Sequence, residues 1–264
     1  MSDDREHLFK LGERYFSGDG KPKDLKSALD YFRRSAELEY APAQFQLGMA
    51  YDPTALARMY GIPGDEAVSF QWYVKAAQQG YPNAIGVVAL AYYFGIKGAP
   101  QDKEQAAEWY AKRVPFGDTY AMMQLGLIAI ERKQIAKGAE WLGASAELGD
   151  PLALSLYRSY VKEGVLPALD PQKEVALLES AADKGDVDAM LGLGFKYETG
   201  DGVRADLPKA YALLALVSIT EEGQDPPGEA TEGAARIKNK LSADELNAAE
   251  ELRKAMHTKL SQLG

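Results

Sequence analysis

One pattern recurs along this chain and limits what it can fold into. In the stretch from Asp188 to Tyr211, DAMLGLGFKYETGDGVRADLPKAY, a small residue at Ala189 is followed by a Leu-Gly pair, a tyrosine and a Gly-Asp-Gly turn. An Asp-Leu-Pro-Lys-Ala segment then opens a second apolar stretch. Apolar residues recur at helical spacing in both stretches, and the glycines between them permit the positive φ at which a helix ends. The pattern predicts two short helices joined by a tight turn.

The same pattern occurs six times. The position that starts each first helix recurs every 32 to 41 residues; it is His7 in the first copy and a small residue in the others, at Ala43, Ala84, Ala121, Ala153 and Ala189. The bulky residue of each second helix keeps nearly the same register, at Tyr31, Trp72, Trp109, Trp141, Leu177 and Leu213. Two independent anchors with a shared period predict a repeat array. We expect the three tryptophans to pack between consecutive repeats.

The copies also share residues. The Leu-Gly pair is intact at Leu11-Gly12, Leu47-Gly48, Leu125-Gly126 and Leu193-Gly194. The first copy reads LGERYFSGDG, DLKSA and YFRRSA, and the last reads LGFKYETGDG and DLPKAYALLA. These residues resemble the Sel1-like repeat, a relative of the tetratricopeptide repeat, over about residues 5 to 220. The resemblance implies an all-α, right-handed α-solenoid of about six helix-turn-helix repeats with a C-terminal capping helix and no sheet.

We expect one repeat domain over residues 1–264. A Ser242/Glu245 capping box is predicted to open a final helix that covers the apolar side of the last repeat. The expected repeats span about residues 5–40, 41–80, 81–117, 118–149, 150–185 and 186–220, and an acidic loop at 221–232 and a helix at 242–262 follow. The glycines at the ends of second helices are C-cap candidates: Gly80, Gly117, Gly149 and Gly185.

Composition limits the classes of partner and site that this protein can have. The formal net charge of −9 disfavours nucleic acid or an anionic membrane as the main partner, because both need basic patches. The chain has no cysteine, so it cannot form a disulfide or a thiolate metal site. The start MSDDREHLFK has no apolar signal-peptide core, and the longest nearly apolar run is too short to span a bilayer. We expect a cytoplasmic monomer, or a periplasmic protein if a leader has been removed.

The sequence holds little that predicts catalysis. Its two histidines, His7 and His257, lie near opposite ends of the chain, and neither belongs to a metal-ligand motif. Ser159 to Lys162 spells the S-x-x-K motif of penicillin-recognising enzymes, but the companion motifs of those enzymes are absent. We therefore expect a non-enzymatic protein with no cofactor and no metal, and retain β-lactam chemistry only as a third hypothesis.

The second repeat departs from the pattern. Its turn is replaced by the longer segment YDPTALARMYGIPGDE, from Tyr51 to Glu66. A long loop at a fixed place on an array is a natural partner-binding feature, although insertions are also tolerated without function. The candidate contact residues there are Leu56, Arg58, Met59 and Tyr60.

In the family, the concave groove formed largely by first helices binds proteins or peptides. The candidates on first helices are Arg14, Gln44, Gln124, Arg158 and Lys196. Unregistered aromatic residues such as Phe94, Phe116 and Tyr120 are further candidates, because aromatic side chains dominate many interfaces.

The resemblance implies a bacterial adaptor or scaffold that binds a protein or peptide. Proteins with these repeats also occur as immunity proteins, so the alternative is an inhibitor of a secreted bacterial toxin enzyme, such as a type VI lipase effector. The residues themselves leave both open.

Overall fold

The computed structural model describes residues 2–20, 22–53, 55–219 and 228–262, without the side chains of Ser2, Asp3, Ala55 and Leu56. Those residues form α-helices and one 3-10 turn, with no strand among them, so the all-α fold class is confirmed. The chain divides into two compact units, Met1–Ile128 and Ala129–Gly264.

The first unit contains three complete helix pairs. The helices are α1 (Ser2–Ser17), α2 (Leu25–Glu37), α3 (Ala41–Tyr51), α4 (Ala55–Tyr60), α5 (Glu66–Gln78), α6 (Pro82–Phe94) and α7 (Lys103–Ala111), followed by a 3-10 turn at Val114–Phe116. α1 packs on α2, α3 on α5, and α6 on α7, and α2 and α5 also contact the first helix of the following pair. The short helix α4 is an insertion between α3 and α5.

The second unit begins within α8 (Thr119–Glu131). It continues with α9 (Ile135–Glu147), α10 (Pro151–Lys162), α11 (Pro171–Ala182), α12 (Val187–Thr199), α13 (Leu207–Ser218), α14 (Glu229–Lys238) and α15 (Ala243–Leu260). α13 packs against α12, α14 and α15, so two further helices cover the last pair. The predicted capping box of α15 is confirmed, because Ser242 and Glu245 each bond the other's backbone N–H.

Most helix ends match the chemistry of the sequence. Aspartate side chains cap the second helices α2, α5, α7, α11 and α13 by accepting backbone N–H bonds. The four predicted C-terminal glycines all have positive φ, from +71° to +91°. They allow each chain reversal without the strain that a side chain would cause.

A backbone hydrogen bond joins the two helices of a repeat. The N–H of the capping Asp206 donates to the carbonyl of Tyr197 at 2.9 Å. The same bond joins Asp24 to Tyr15, Asp65 to Tyr51 and Asp102 to Tyr92. The recurring tyrosine of the first helix therefore marks the residue whose carbonyl accepts the N–H of the second helix's cap.

The core corrects the expected role of the tryptophans. Trp109 is buried, but Trp72 and Trp141 are only half-buried. The residue after each anchor fills the interior instead: Phe32, Tyr73, Tyr110, Leu142, Leu178 and Leu214. In three repeats this side chain lies on the glycine of the Leu-Gly pair, where a Cβ on Gly12, Gly48 or Gly194 would come within 2.7 Å of Phe32, Tyr73 or Leu214. The glycine recurs because a neighbouring side chain occupies the space of its Cβ.

The acidic segment at 221–232 differs from the expected loop. Residues 221–227 lie outside the described residues, but Glu229 to Glu232 form the first turn of α14. The buried residues Ala230, Ala234 and Ile237 recur at helical spacing in this helix. Acidic residues in a first turn are also favourable beside the positive end of the helix dipole.

Candidate protein-interaction surfaces

The insertion in the second repeat forms an anchored helix. The N–H of Asp65 donates to the carbonyl of Tyr51 at 2.8 Å, so the longer segment closes with the same bond as the shorter turns. The ring of Tyr60 lies 5.9 Å from that of Phe16 and is 8% exposed. Burial raises the pKa of the Tyr60 phenol to about 12. Tyr60 thus anchors α4 to the core, and its predicted role as an exposed contact is wrong.

Two other side chains of the insertion face solvent. Arg58 is exposed and Met59 is 39% exposed, which is high for a methionine. Ala57, the residue before Arg58, is buried. Leu56 belongs to α4, but its side chain lies outside the described residues. The insertion therefore presents one cation and one adaptable apolar side chain on a short helix.

The start of the insertion is held by an ion pair. Asp52 pairs with Lys97, which lies in the turn that follows α6. Both side chains are shielded from water, at 11% and 29% exposure. This contact ties the second repeat to the third across the base of the insertion.

The two predicted glutamines are not surface residues. Gln44 is 3% exposed, donates to the carbonyl of Ala36 at 3.3 Å and accepts from Gln79 at 2.7 Å. Gln124 is likewise buried. Gln44 lies between the ends of α2 and α5, where Ala36 and Gln79 cover its side chain. The predicted role of Gln44 and Gln124 as partner contacts is wrong, because a buried side chain is not available to a partner.

Arg158 and Lys196 belong to an ionic network in the second unit. Arg158 bonds Glu174 at 3.2 Å, and Lys196 lies 2.6 Å from the same carboxylate and 2.6 Å from Asp201. Glu174 thus joins α10 and α12 through α11. Because both cations have internal partners, a bound protein would have to compete for them. Arg14 is an exposed side chain on α1.

A second network holds α14. Glu198 on α12 accepts two bonds from Arg236, at 2.9 and 2.7 Å, and one from Lys240 at 3.4 Å. The hydrogen bonds from Arg236 lower the pKa of the Glu198 carboxyl. A separate bond joins α13 to α15, because Tyr211 of α13 donates to Glu250 of α15 at 2.7 Å. Burial, helped by this carboxylate, raises the pKa of Tyr211 to about 12.

Cavities open on the surfaces of both units. In the first unit, a polar cavity of about 520 Å³ lies where α2, α3 and α5 meet, beside Trp72. In the second unit, an apolar cavity of about 350 Å³ lies below the end of α15, beside Met190, Leu213 and Met256. A third, of about 450 Å³, is lined by Ser159, Lys162 and Glu174 among others.

The third cavity contains the S-x-x-K residues but does not arrange them for catalysis. Ser159 Oγ donates to the carboxylate of Glu163 at 3.2 Å, and no hydrogen bond joins it to Lys162 in the part of the chain that the structure describes. His7 and His257 are both exposed. Over residues 2–20, 22–53, 55–219 and 228–262, no group of histidine, aspartate and glutamate could hold a metal ion.

Exposed aromatic side chains occur in the third repeat and at the start of the fourth. Phe94 at the end of α6, Phe116 in the 3-10 turn and Tyr120 at the start of α8 are all exposed, Phe116 to 63%. These aromatic residues lie outside both sets of recurring repeat positions, which is why the sequence identified them as contact candidates. Leu148 and Leu152 are exposed at the next repeat boundary, and sequence reasoning missed them because they continue the apolar pattern.

Comparison with known proteins agrees with the repeat pattern. A family model described as the Sel1 repeat matches residues 8–40, 41–81, 84–112, 119–150, 162–186 and 187–216. Among curated proteins, chitin synthase regulatory factor 3 of Schizosaccharomyces pombe is 28% identical over 213 residues. That match covers 74% of this chain and 22% of the yeast protein, so this chain spans about a fifth of the relative's length.

Two solved structures share the fold. A protective antigen of uropathogenic Escherichia coli with an SLR fold is 28% identical, with a TM-score of 0.61, over 98% of this chain and 54% of that chain. A Sel1 repeat protein from Oxalobacter formigenes is 29% identical, with a TM-score of 0.58, over 89% of this chain and 65% of that chain. No helix in the described ranges has the length and apolar character needed to cross a bilayer.

Proposed function

The chain belongs to the Sel1 repeat family, and we propose that it is a non-enzymatic adaptor that binds a protein partner through the inserted helix α4 and the neighbouring first helices. Repeats of this family form protein-interaction scaffolds. The finer proposal rests on one observation: α4 is fixed to the core by Tyr60 while Arg58 and Met59 face solvent.

The anchored insertion suits partner binding for a physical reason. A loop that is ordered before binding loses little conformational freedom on association, so more of the contact energy appears as affinity. Arginine is enriched at interfaces, and methionine adapts its shape to a partner's surface. Of the predicted contact residues, Arg14, Arg58 and Met59 combine solvent exposure with side chains of this kind.

Affinity capture from the native cell lysate tests the proposal. Wild-type protein is compared with the double variant Arg58→Ala/Met59→Ala, and bound proteins are quantified by mass spectrometry. We expect a specific partner that the variant loses. A matched control, Arg204→Ala/Leu252→Ala, removes one exposed arginine and one exposed apolar side chain from the second unit and should retain the partner. Equal capture by all three proteins would refute a role for α4.

A narrower form of the proposal is an immunity protein that blocks a secreted toxin enzyme, such as a lipase effector. The observation that favours it is the exposed pair Arg58 and Met59 on a protein whose net charge is −9. An inhibitor of this kind would capture one dominant enzyme and abolish its activity at equimolar concentration. An adaptor would capture several proteins of one complex and leave their activities intact.

A further inference from the structure

The polar cavity of the first unit has a composition that points to a ligand. It measures about 520 Å³ and lies where the ends of α2 and α5 meet the start of α3. Two carboxylates, Glu37 and Glu39, line it together with the indole of Trp72. The ammonium of Lys75 is the one cation among the lining residues. The cavity therefore carries a net negative charge around an aromatic surface.

The backbone of Glu39 is unusual for a glutamate. Its φ is +59°, in the left-handed region that favours glycine. Its N–H bonds the carbonyl of Ala36 at 3.0 Å, as the N–H of Gly80 bonds Ala77 and that of Gly149 bonds Ala146. Glu39 thus occupies the position that is glycine in later repeats. A carboxylate at this position adds charge to the cavity at a cost in backbone strain.

The aromatic side of the cavity already attracts a cation. Lys75 Nζ lies 4.3 Å from the centroid of the Trp72 ring, within the range of a cation–π contact. Two lining amides are bonded to each other, because Gln79 donates to Gln44 at 2.7 Å. The carboxylates of Glu37 and Glu39 are exposed at the rim. In the free protein, Lys75 occupies the kind of position that a ligand's cation would take.

We propose that this cavity binds an arginine side chain of a partner protein, with the guanidinium on the Trp72 ring and its N–H groups donating to Glu37 and Glu39. The planar guanidinium can stack on indole and bond carboxylates at the same time, whereas a lysine ammonium is a compact, strongly hydrated charge. This inference rests on the proposed protein-binding function and names the chemistry of one contact.

A nuclear magnetic resonance titration tests the assignment. Protein labelled with ¹⁵N-tryptophan has three indole signals, and Trp72→Phe assigns the one that belongs to the cavity. The probe is the peptide acetyl-Gly-Arg-Gly-amide, compared with peptides that carry lysine or the uncharged isostere citrulline. We expect a saturable shift of the Trp72 signal alone, weaker with lysine and absent with citrulline. No shift, or equal shifts of all three signals, would overturn the proposal.

Three variants separate binding from structure. Glu39→Gly removes the carboxylate and relieves the left-handed strain, so it should raise the denaturation midpoint yet weaken arginine binding about tenfold. Lys133→Gly is the matched control, because Lys133 is exposed and has a φ of +60°. It should also raise the midpoint and leave binding unchanged. Lys75→Gln removes the competing cation and should tighten binding about threefold.

These outcomes do not depend on finding the natural partner. If Glu39→Gly binds the arginine peptide as well as wild type does, or if Lys75→Gln weakens it, the assignment is wrong. If lysate capture then still yields a partner that is lost with Arg58→Ala/Met59→Ala, the adaptor function survives without this site. If the peptide binds as expected but no partner is captured, the adaptor proposal fails and the arginine site remains.

Discussion

At the scale of single residues, the space beside a helical glycine determines the structural role of that glycine. A Cβ on Gly48 would lie 2.6 Å from the Tyr73 ring, which is buried and cannot retreat. A Cβ on Gly143 in α9 would meet nothing closer than Tyr157 at 4.0 Å. The first glycine makes room for a core side chain, and the second only loosens its helix.

We therefore expect opposite effects from one substitution. Gly48→Ala should destabilise the protein by roughly 1–3 kcal/mol through overpacking. Gly143→Ala should stabilise it by up to about 1 kcal/mol, because alanine is the better helix former. Chemical denaturation followed by circular dichroism measures both. Two shifts of the same sign would show that the Tyr73 contact does not control the first site.

The tryptophans differ in how deeply they are buried. Trp109 is 9% exposed, so Trp109→Ala should cost roughly 3–5 kcal/mol. Trp141 is half-buried, and Trp141→Ala should cost clearly less. Denaturation midpoints compare the two variants with wild type. Similar losses for both would mean that exposure of the ring is not the deciding factor.

At the scale of helices, α14 depends on a charge cluster that is sensitive to pH. Arg236 of α14 holds the Glu198 carboxylate of α12 in its ionised form. Because this contact lowers the pKa of Glu198 in the folded state, its stabilising effect is present above the unfolded pKa and is lost as pH falls through the lower, folded value.

Glu198→Gln should therefore destabilise the protein at pH 7, and the difference from wild type should shrink as the pH is lowered through the acidic range. Urea denaturation at several pH values measures this difference. Glu251→Gln is the control, since Glu251 is exposed and pairs with Lys254 on the same helix, α15. It should show little effect at any pH. A constant difference for Glu198→Gln would exclude ionisation as the cause.

The helices show which parts of the fold could be predicted from the sequence. The repeat pattern predicted the helix pairs because each capping aspartate and each recurring tyrosine is a local signal, and the structure joins them by one backbone bond. The pattern did not predict α14. Residues 221–232 contain five acids and two prolines, which indicated a loop, and the helical spacing of Ala230, Ala234 and Ile237 extends over only a short stretch. A ten-residue helix of this composition gains its stability from packing, which a local pattern does not contain.

The contact residues were harder to predict than the helices. Gln44, Gln124 and Tyr60 were predicted as partner contacts, yet all three are buried. Polarity and position on a first helix do not reveal whether a neighbouring repeat covers a side chain. Glu39 is visible in the sequence, because it stands at the end of a second helix where later repeats have a glycine.

At the scale of the whole molecule, the charge of −9 sets how a partner approaches. Summed surface charge speeds the encounter with an oppositely charged protein, and salt screens it, since the Debye length is about 10 Å at 0.1 M and about 3 Å at 1 M. If the partner presents arginine to the Trp72 cavity, its surface there is basic. The amount of partner captured should then fall as salt rises from about 0.05 to 0.5 M.

Glu37→Gln/Glu39→Gln should flatten this salt dependence, because it removes the charges nearest the bound cation. Arg58→Ala/Met59→Ala should lower capture at every salt concentration and leave the remaining dependence at least as steep, because it removes apolar contact and one cation from an acidic protein. Quantitative capture over a salt series compares the slopes. If wild type and the Glu37/Glu39 variant have the same slope, the carboxylates of the Trp72 cavity do not contribute to the electrostatic attraction of the partner. Binding is then governed by the inserted helix alone.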